Sequence, residues 1–92
     1  MTYRVIVAPT AARQLQERLP EAVAWACFEF IRGPLTEEPR RAGAPLRKPF
    51  EGQWRARRGE YRVRYLLDEA AQTIYVLDVE HRRDAYRPGG RR

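Results

Sequence analysis

A chain of 92 residues, 43% hydrophobic and 33% charged, is expected to form one globular domain, 1–92, and is neither disordered nor large enough for two. One Cys and one His exclude a disulfide framework, a zinc finger and a transition-metal site of the usual ligand count, so neither metal nor cofactor is expected. The formal charge of +6 and pI near 10.2 point to acidic partners, namely nucleic acid, an anionic surface or an acidic protein. With no long apolar run, neither a secretory signal nor a membrane span is expected, and the default compartment is the cytoplasm.

Residues 3–7, Tyr-Arg-Val-Ile-Val, are β-branched and aromatic and predict a strand. Pro9 stops it, and Thr10 can cap a helix over residues 11–19, in which Ala11, Leu15 and Leu19 form one stripe. Pro20 separates this from a second helix over 21–32, with Val23, Ala26, Cys27, Phe30 and Ile31 on one face and Gly33-Pro34 as its end. Trp25 and Phe28 lie off that stripe and are read as widening the core, with a partner contact as the alternative. Residues 34–50 hold Pro34, Pro39, Pro45 and Pro49 and read as a loop. The period then changes to two, predicting strands over 54–58, 61–67 and 73–79 with turns at Gly59 and at 68–72. The polar stretch 81–92 ends in a tail, 88–92, expected to fray. The order β-α-α-β-β-β implies an α+β domain of two layers, a helical hairpin on one face of a mainly antiparallel four-stranded sheet.

The charge is uneven. Residues 1–39 carry four Arg against five acids, residues 40–64 nine basic residues against two acids, and residues 65–92 five Arg against five acids. Within the basic segment, alternation puts Trp54 and Ala56 on one side of a strand and Arg55 and Arg57 on the other. Likewise Tyr61, Val63 and Tyr65 oppose Arg62 and Arg64. A two-residue loop at Gly59-Glu60 pairs Arg57 with Arg62 and Arg55 with Arg64, so all four guanidiniums share the face away from the helices. Four like charges across two strands repel one another, and a polyanion resolves that conflict. The guanidinium fork suits phosphate. The alternative is that each Arg is paired with a carboxylate. After the last strand, His81, Arg82 and Tyr86 are expected at the sheet edge beside this cluster. Taken alone, His81 reads equally well as a surface or hydrogen-bonded His, and Tyr86 as a ring tucking the C-terminal segment onto the sheet.

The chain resembles the RelE/ParE superfamily of bacterial toxins, and within it the RelE-type messenger-RNA interferases. The likeness rests on Gly59-Glu60-Tyr61-Arg62-Val63-Arg64-Tyr65 and on the ending His81-Arg82-Arg83-Asp84-Ala85-Tyr86-Arg87, with support from the Thr10–Leu15 helix start and Pro45-Leu46. The resemblance implies a type II toxin, a ribosome-dependent and metal-independent endoribonuclease that cuts translated mRNA. It implies an acidic cognate antitoxin of RelB type, with operator DNA bound only through the antitoxin complex. It carries the family's functional positions onto Arg55 and Arg57 before the turn, Arg62 after it, Arg82 and Tyr86; by their chemistry Arg55, Arg57 and Arg62, with Arg64 on the same face, would bind phosphate, Tyr86 would be the base, and Arg82 or His81 would sit near the leaving oxygen, His81 being the better acid at neutral pH. The best-known members have Lys on the first of these strands and no His at the place of His81, so their proton-transfer roles do not carry over directly. Two other readings stay open: a ParE-like inhibitor of DNA gyrase, and a non-catalytic module that binds RNA or antitoxin.

Overall fold

The computed structural model of the protein describes residues 2–85. Five strands form one sheet in the order β1-β5-β4-β3-β2. They are β1 (Arg4–Val7), β2 (Ala44–Pro45), β3 (Gln53–Arg58), β4 (Tyr61–Asp68) and β5 (Thr73–His81). The predicted three-strand meander is β3-β4-β5, antiparallel throughout. The first strand runs parallel to β5, pairing Arg4 with Thr73 and Val7 with Val76. A fifth strand, absent from the sequence reading, is the two-residue β2 beside β3. The class is α+β and the sheet mainly antiparallel as expected, with one parallel pair and one strand more.

The helices open differently from expectation. Helix α1 (Pro9–Arg13) starts at Pro9, with Ala8 as its N-cap, rather than after Thr10. Proline suits a first helical turn because the N–H it lacks would have no partner there. A π-helical stretch, Gln14–Arg18, continues α1. Helix α2 (Glu21–Phe30) runs on through a second π-helical stretch, Ile31–Leu35, so Gly33-Pro34 does not end it. The Thr36 hydroxyl donates to the carbonyls of Arg32 and Gly33, at 3.0 and 2.9 Å, which closes the helix after the proline. The proline-rich segment is also not wholly a loop, since it holds the short helix α3 (Pro39–Ala42) and β2.

The core lies between the helical hairpin and one sheet face. Ala11 and Leu19 from the first helix and Cys27, Phe30 and Ile31 from the second bury against Ala56, Tyr61, Val63, Tyr65, Ile74, Val76 and Val79. Ala56, Tyr61, Val63 and Tyr65 are the pleats that alternation assigned to the helix side, and β5 adds Ile74, Val76 and Val79. Ala26 of the predicted stripe is exposed. Two tyrosines anchor the layers: the Tyr65 hydroxyl donates to Pro39 O at 2.6 Å and the Tyr61 hydroxyl to Ala26 O at 3.3 Å. Burial pushes the Tyr65 phenol up to about 12, and burial with the nearby Cys27 does the same for Tyr61, while Arg58 opposes both. Gly43 sits where a Cβ would lie 2.6 Å from both Arg55 O and the Tyr65 hydroxyl, so β3 approaches α3 more closely than any side chain at 43 permits.

Candidate nucleic-acid interface

The hairpin between β3 and β4 turns at Gly59-Glu60, where Gly59 takes φ +49°, a left-handed conformation that glycine adopts without strain. The loop therefore has two residues, and the register pairs Arg58 with Tyr61, Arg57 with Arg62 and Arg55 with Arg64. Residues directly opposite share a face. The four guanidiniums thus stand on the side away from the helices, as the sequence requires.

The next strand adds what parity reasoning, stopped at β4, had missed. Glu80 lies opposite Arg62 and Asp78 opposite Arg64. Arg62 pairs with Glu80 at 3.8 Å and Arg64 with Asp78 at 3.4 Å. The pairing alternative therefore holds for half the cluster. Continuing the period of two along β5 offers a signal for both acids, but a register shift there hides it: Arg64 pairs with Asp78 while Tyr65 pairs with Val76, leaving Leu77 as the extra residue of a bulge. Arg64 is fixed further by a 2.7 Å hydrogen bond to Gln53 Oε1. Asp78 in turn accepts from Gln14 Nε2 at 2.8 Å, while Gln14 Oε1 accepts from Val79 N at 2.7 Å. The first helix thus caps β5 just past the end of β1 and orients the acid that orients Arg64.

Arg55 and Arg57 are different. Both are exposed, and neither guanidinium has a partner among the described residues. The Arg62–Glu80 contact is longer than a hydrogen bond, and Arg62 Nε is buried with no partner among the described residues. Elsewhere the basic segment is largely compensated. Arg40 pairs with Glu69, Arg41 with Glu38 and Lys48 with Glu51, and Arg58 lies 4.6 Å over the Phe30 ring on the helix side. Among the described residues of 40–64, the basic side chains without a carboxylate partner are thus Arg55 and Arg57 on the strand face, Arg47 in the loop before β3, and Arg58 on the helix side.

His81 departs from expectation. It pairs with Tyr61 and so stands on the helix-facing pleat, opposite to Arg62 and Arg64. Its side chain is only 11% exposed, with Nε2 3.6 Å from Glu60 Oε1. Its Nδ1 accepts from the Arg83 backbone N–H at 3.1 Å. The Nδ1 contact and a 2.6 Å hydrogen bond from Arg82 N to Glu60 O hold the short helix α4 (Arg82–Ala85) against the hairpin tip, while the Nε2–Glu60 contact is longer than a hydrogen bond. Arg82 begins that helix and is exposed. Tyr86, the expected base, and the tail 88–92 lie outside the described residues.

A second surface lies on the other side of the molecule. Trp25 and Phe28 do not widen the core: they are 58% and 43% exposed and meet edge to face at 5.9 Å. With Leu15, Leu19 and Ala24 they line an apolar groove of about 520 Å³ along the helical hairpin. Among the described residues no helix is long and apolar enough to cross a membrane.

Residues 3–86 match the family described as the ParE toxin of type II toxin-antitoxin systems, parDE. The chain belongs to this family of type II toxins. It is 47% identical over 85 residues to Toxin RelE of Mycobacterium tuberculosis, covering 92% of this chain and 87% of that one. To Toxin RelG of the same organism it is 44% identical over 87 residues, covering 95% and 99%. Among solved structures, the toxin-antitoxin complex RelBE2 of Mycobacterium tuberculosis contains a chain of TM-score 0.85 and 41% identity, with 89% of this chain and 100% of that one covered.

Proposed function

We propose that this toxin is a ribosome-dependent endoribonuclease that cleaves translated mRNA without a metal. The observation that carries the reading is the face bearing Arg55, Arg57, Arg62 and Arg64, on which, among the described residues, two guanidiniums have no partner and a third is incompletely satisfied. Similarity to Toxin RelE and Toxin RelG supports it. In the reaction the 2′-hydroxyl gives its proton to the base and attacks the adjacent phosphorus, the P–O5′ bond breaks, and the departing 5′-oxygen, its charge stabilised by a nearby cation, takes a proton from water. Arg55, Arg57 and Arg62 hold the phosphate oxygens and stabilise the phosphorane, with Arg64 extending the clamp along the strand. Tyr86 is the proposed base, since the family ending falls on it and cations favour a phenolate over the neutral phenol. Arg82 lies toward the leaving oxygen. His81 is assigned a positioning role, because its Nδ1 is taken by the Arg83 backbone N–H and its ring faces the opposite pleat. The ribosome supplies alignment of the message.

An acidic RelB-like antitoxin is the proposed partner. The exposed Trp25–Phe28 pair and its groove suit the apolar side of an antitoxin segment, and acidic residues of the same chain suit the Arg face. Operator DNA would be bound through that complex. Primer extension on a translated message tests the activity: new 5′ ends are expected with the wild-type protein, and their absence beside an active control overturns the reading. A second reading, inhibition of DNA gyrase, is favoured by the ParE description of the matching family. Loss of supercoiling activity at toxin concentrations that leave mRNA intact would select it.

A further inference from the structure

The open sheet face does not end with the arginines. The register carries it one row further from the hairpin tip, where Gln53 pairs with Leu66, Leu66 with Tyr75, and Tyr75 with Ile6 across four strands. Residues paired in this way share a face, so Leu66, Tyr75 and Ile6 form an apolar row on the same side as the guanidiniums. Leu66 and Tyr75 are only partly buried and Ile6 is 43% exposed. No helix among the described residues covers them, because the hairpin packs on the opposite face. The row is one pleat repeat, about 7 Å, from the row of Arg55 and Arg64. Gln53 joins the two rows, being both the partner of Leu66 and the acceptor for Arg64.

We propose that this row is a base-binding subsite of the toxin, in which a nucleotide flanking the phosphate held by the arginines stacks on Tyr75, with Leu66 and Ile6 beneath and beside it. A single-stranded polynucleotide has this alternation of needs: its phosphates require fixed cations, and its bases require a flat apolar partner once they leave a helix. A peptide of acidic residues would satisfy the arginines and leave the apolar row without a matching partner. The row's position, continuous with the cationic rows and separated from them by one strand repeat, fits one chain crossing both. Stacking is tolerant of base identity, so the subsite adds affinity and alignment more than sequence selection.

The inference rests on the nuclease reading, and the test separates the two. Binding of a short single-stranded RNA would be measured by anisotropy with an intact strand and with strands carrying one abasic nucleotide at successive positions, for wild type, Tyr75→Leu, Tyr75→Phe and Arg55→Ala. Leucine keeps the apolar contact with the sheet while removing the ring, and far-UV circular dichroism checks that the variant folds. Tyr75→Leu is expected to weaken binding of the intact strand by about fivefold or more, the lower end of a base-stacking contribution, and Tyr75→Phe to retain it. One abasic position should cost wild type a similar factor and cost Tyr75→Leu nothing further. If Arg55→Ala weakens binding while Tyr75→Leu loses nothing, or loses equally on every strand, the subsite is refuted and the nuclease reading stands. If Arg55→Ala also binds as wild type does, the phosphate clamp fails and the subsite with it.

Discussion

Replacing Arg55 and Arg57 together by alanine separates what the arginine face does for folding from what it does for a polyanion. Both side chains are exposed, and neither has a partner among the described residues. Their removal therefore breaks no hydrogen bond and opens no cavity, which limits the direct stability change to about 0.5 kcal/mol at each site. It also relieves the facing pairs Arg57–Arg62 and Arg55–Arg64, where like charges directly opposite cost about 0.2–1 kcal/mol each. The expected urea midpoint is thus unchanged or slightly raised. RNA affinity should move the other way. Each phosphate contact contributes about 0.7 to the slope of log affinity against log salt for a single strand, so losing two flattens the slope by about 1.4. Between roughly 50 and 200 mM salt, wild type should lose about sevenfold more affinity than the double variant. Anisotropy titrations of a labelled single-stranded RNA across that range, with urea melts of both proteins, measure both halves. An unchanged salt slope refutes the phosphate clamp; a marked fall in stability refutes the view that these two arginines are structurally idle.

Three further outcomes are expected. Tyr65→Phe removes the donor to Pro39 O in the buried layer and should cost about 1–3 kcal/mol, read as a lowered urea midpoint with an unchanged m-value. Alkaline pH should destabilise the fold: Cys27, raised by burial from 9.0 to about 12, and Tyr61 and Tyr65, raised from 10.0 to about 12, stay protonated when folded and ionise more easily when unfolded. Their stabilising contribution is complete below about pH 9 and is lost as pH rises toward 12; urea melts across this range should show the decline, and Cys27→Ala should delay its onset. Arg62→Ala and Tyr86→Phe should each slow single-turnover cleavage of ribosome-bound message about tenfold or more, equivalent to about 1.4 kcal/mol, and full activity in Tyr86→Phe would exclude a phenolic base.

Alternation along 54–58 and 61–65, with a glycine that permits a two-residue turn, is enough to put four arginines on one face, because pleat parity and hairpin register are local properties. The helical hairpin followed in the same way from the spacing of Ala11, Leu15 and Leu19 and of Cys27, Phe30 and Ile31. The family ending at residues 81–87 was legible as a motif, but not the direction of its histidine: the ring turns to the helix side because it follows Glu80 by one residue in β5, which depends on pairing with Tyr61. The carboxylates that partner Arg62 and Arg64, the bulge at Leu77, the parallel docking of β1 and the exposure of Trp25 and Phe28 were settled only by tertiary structure. Each depends on which distant segment arrives opposite a given residue, and the free energy that selects among such pairings comes from burying the whole core at once, not from any stretch of chain short enough to show a period.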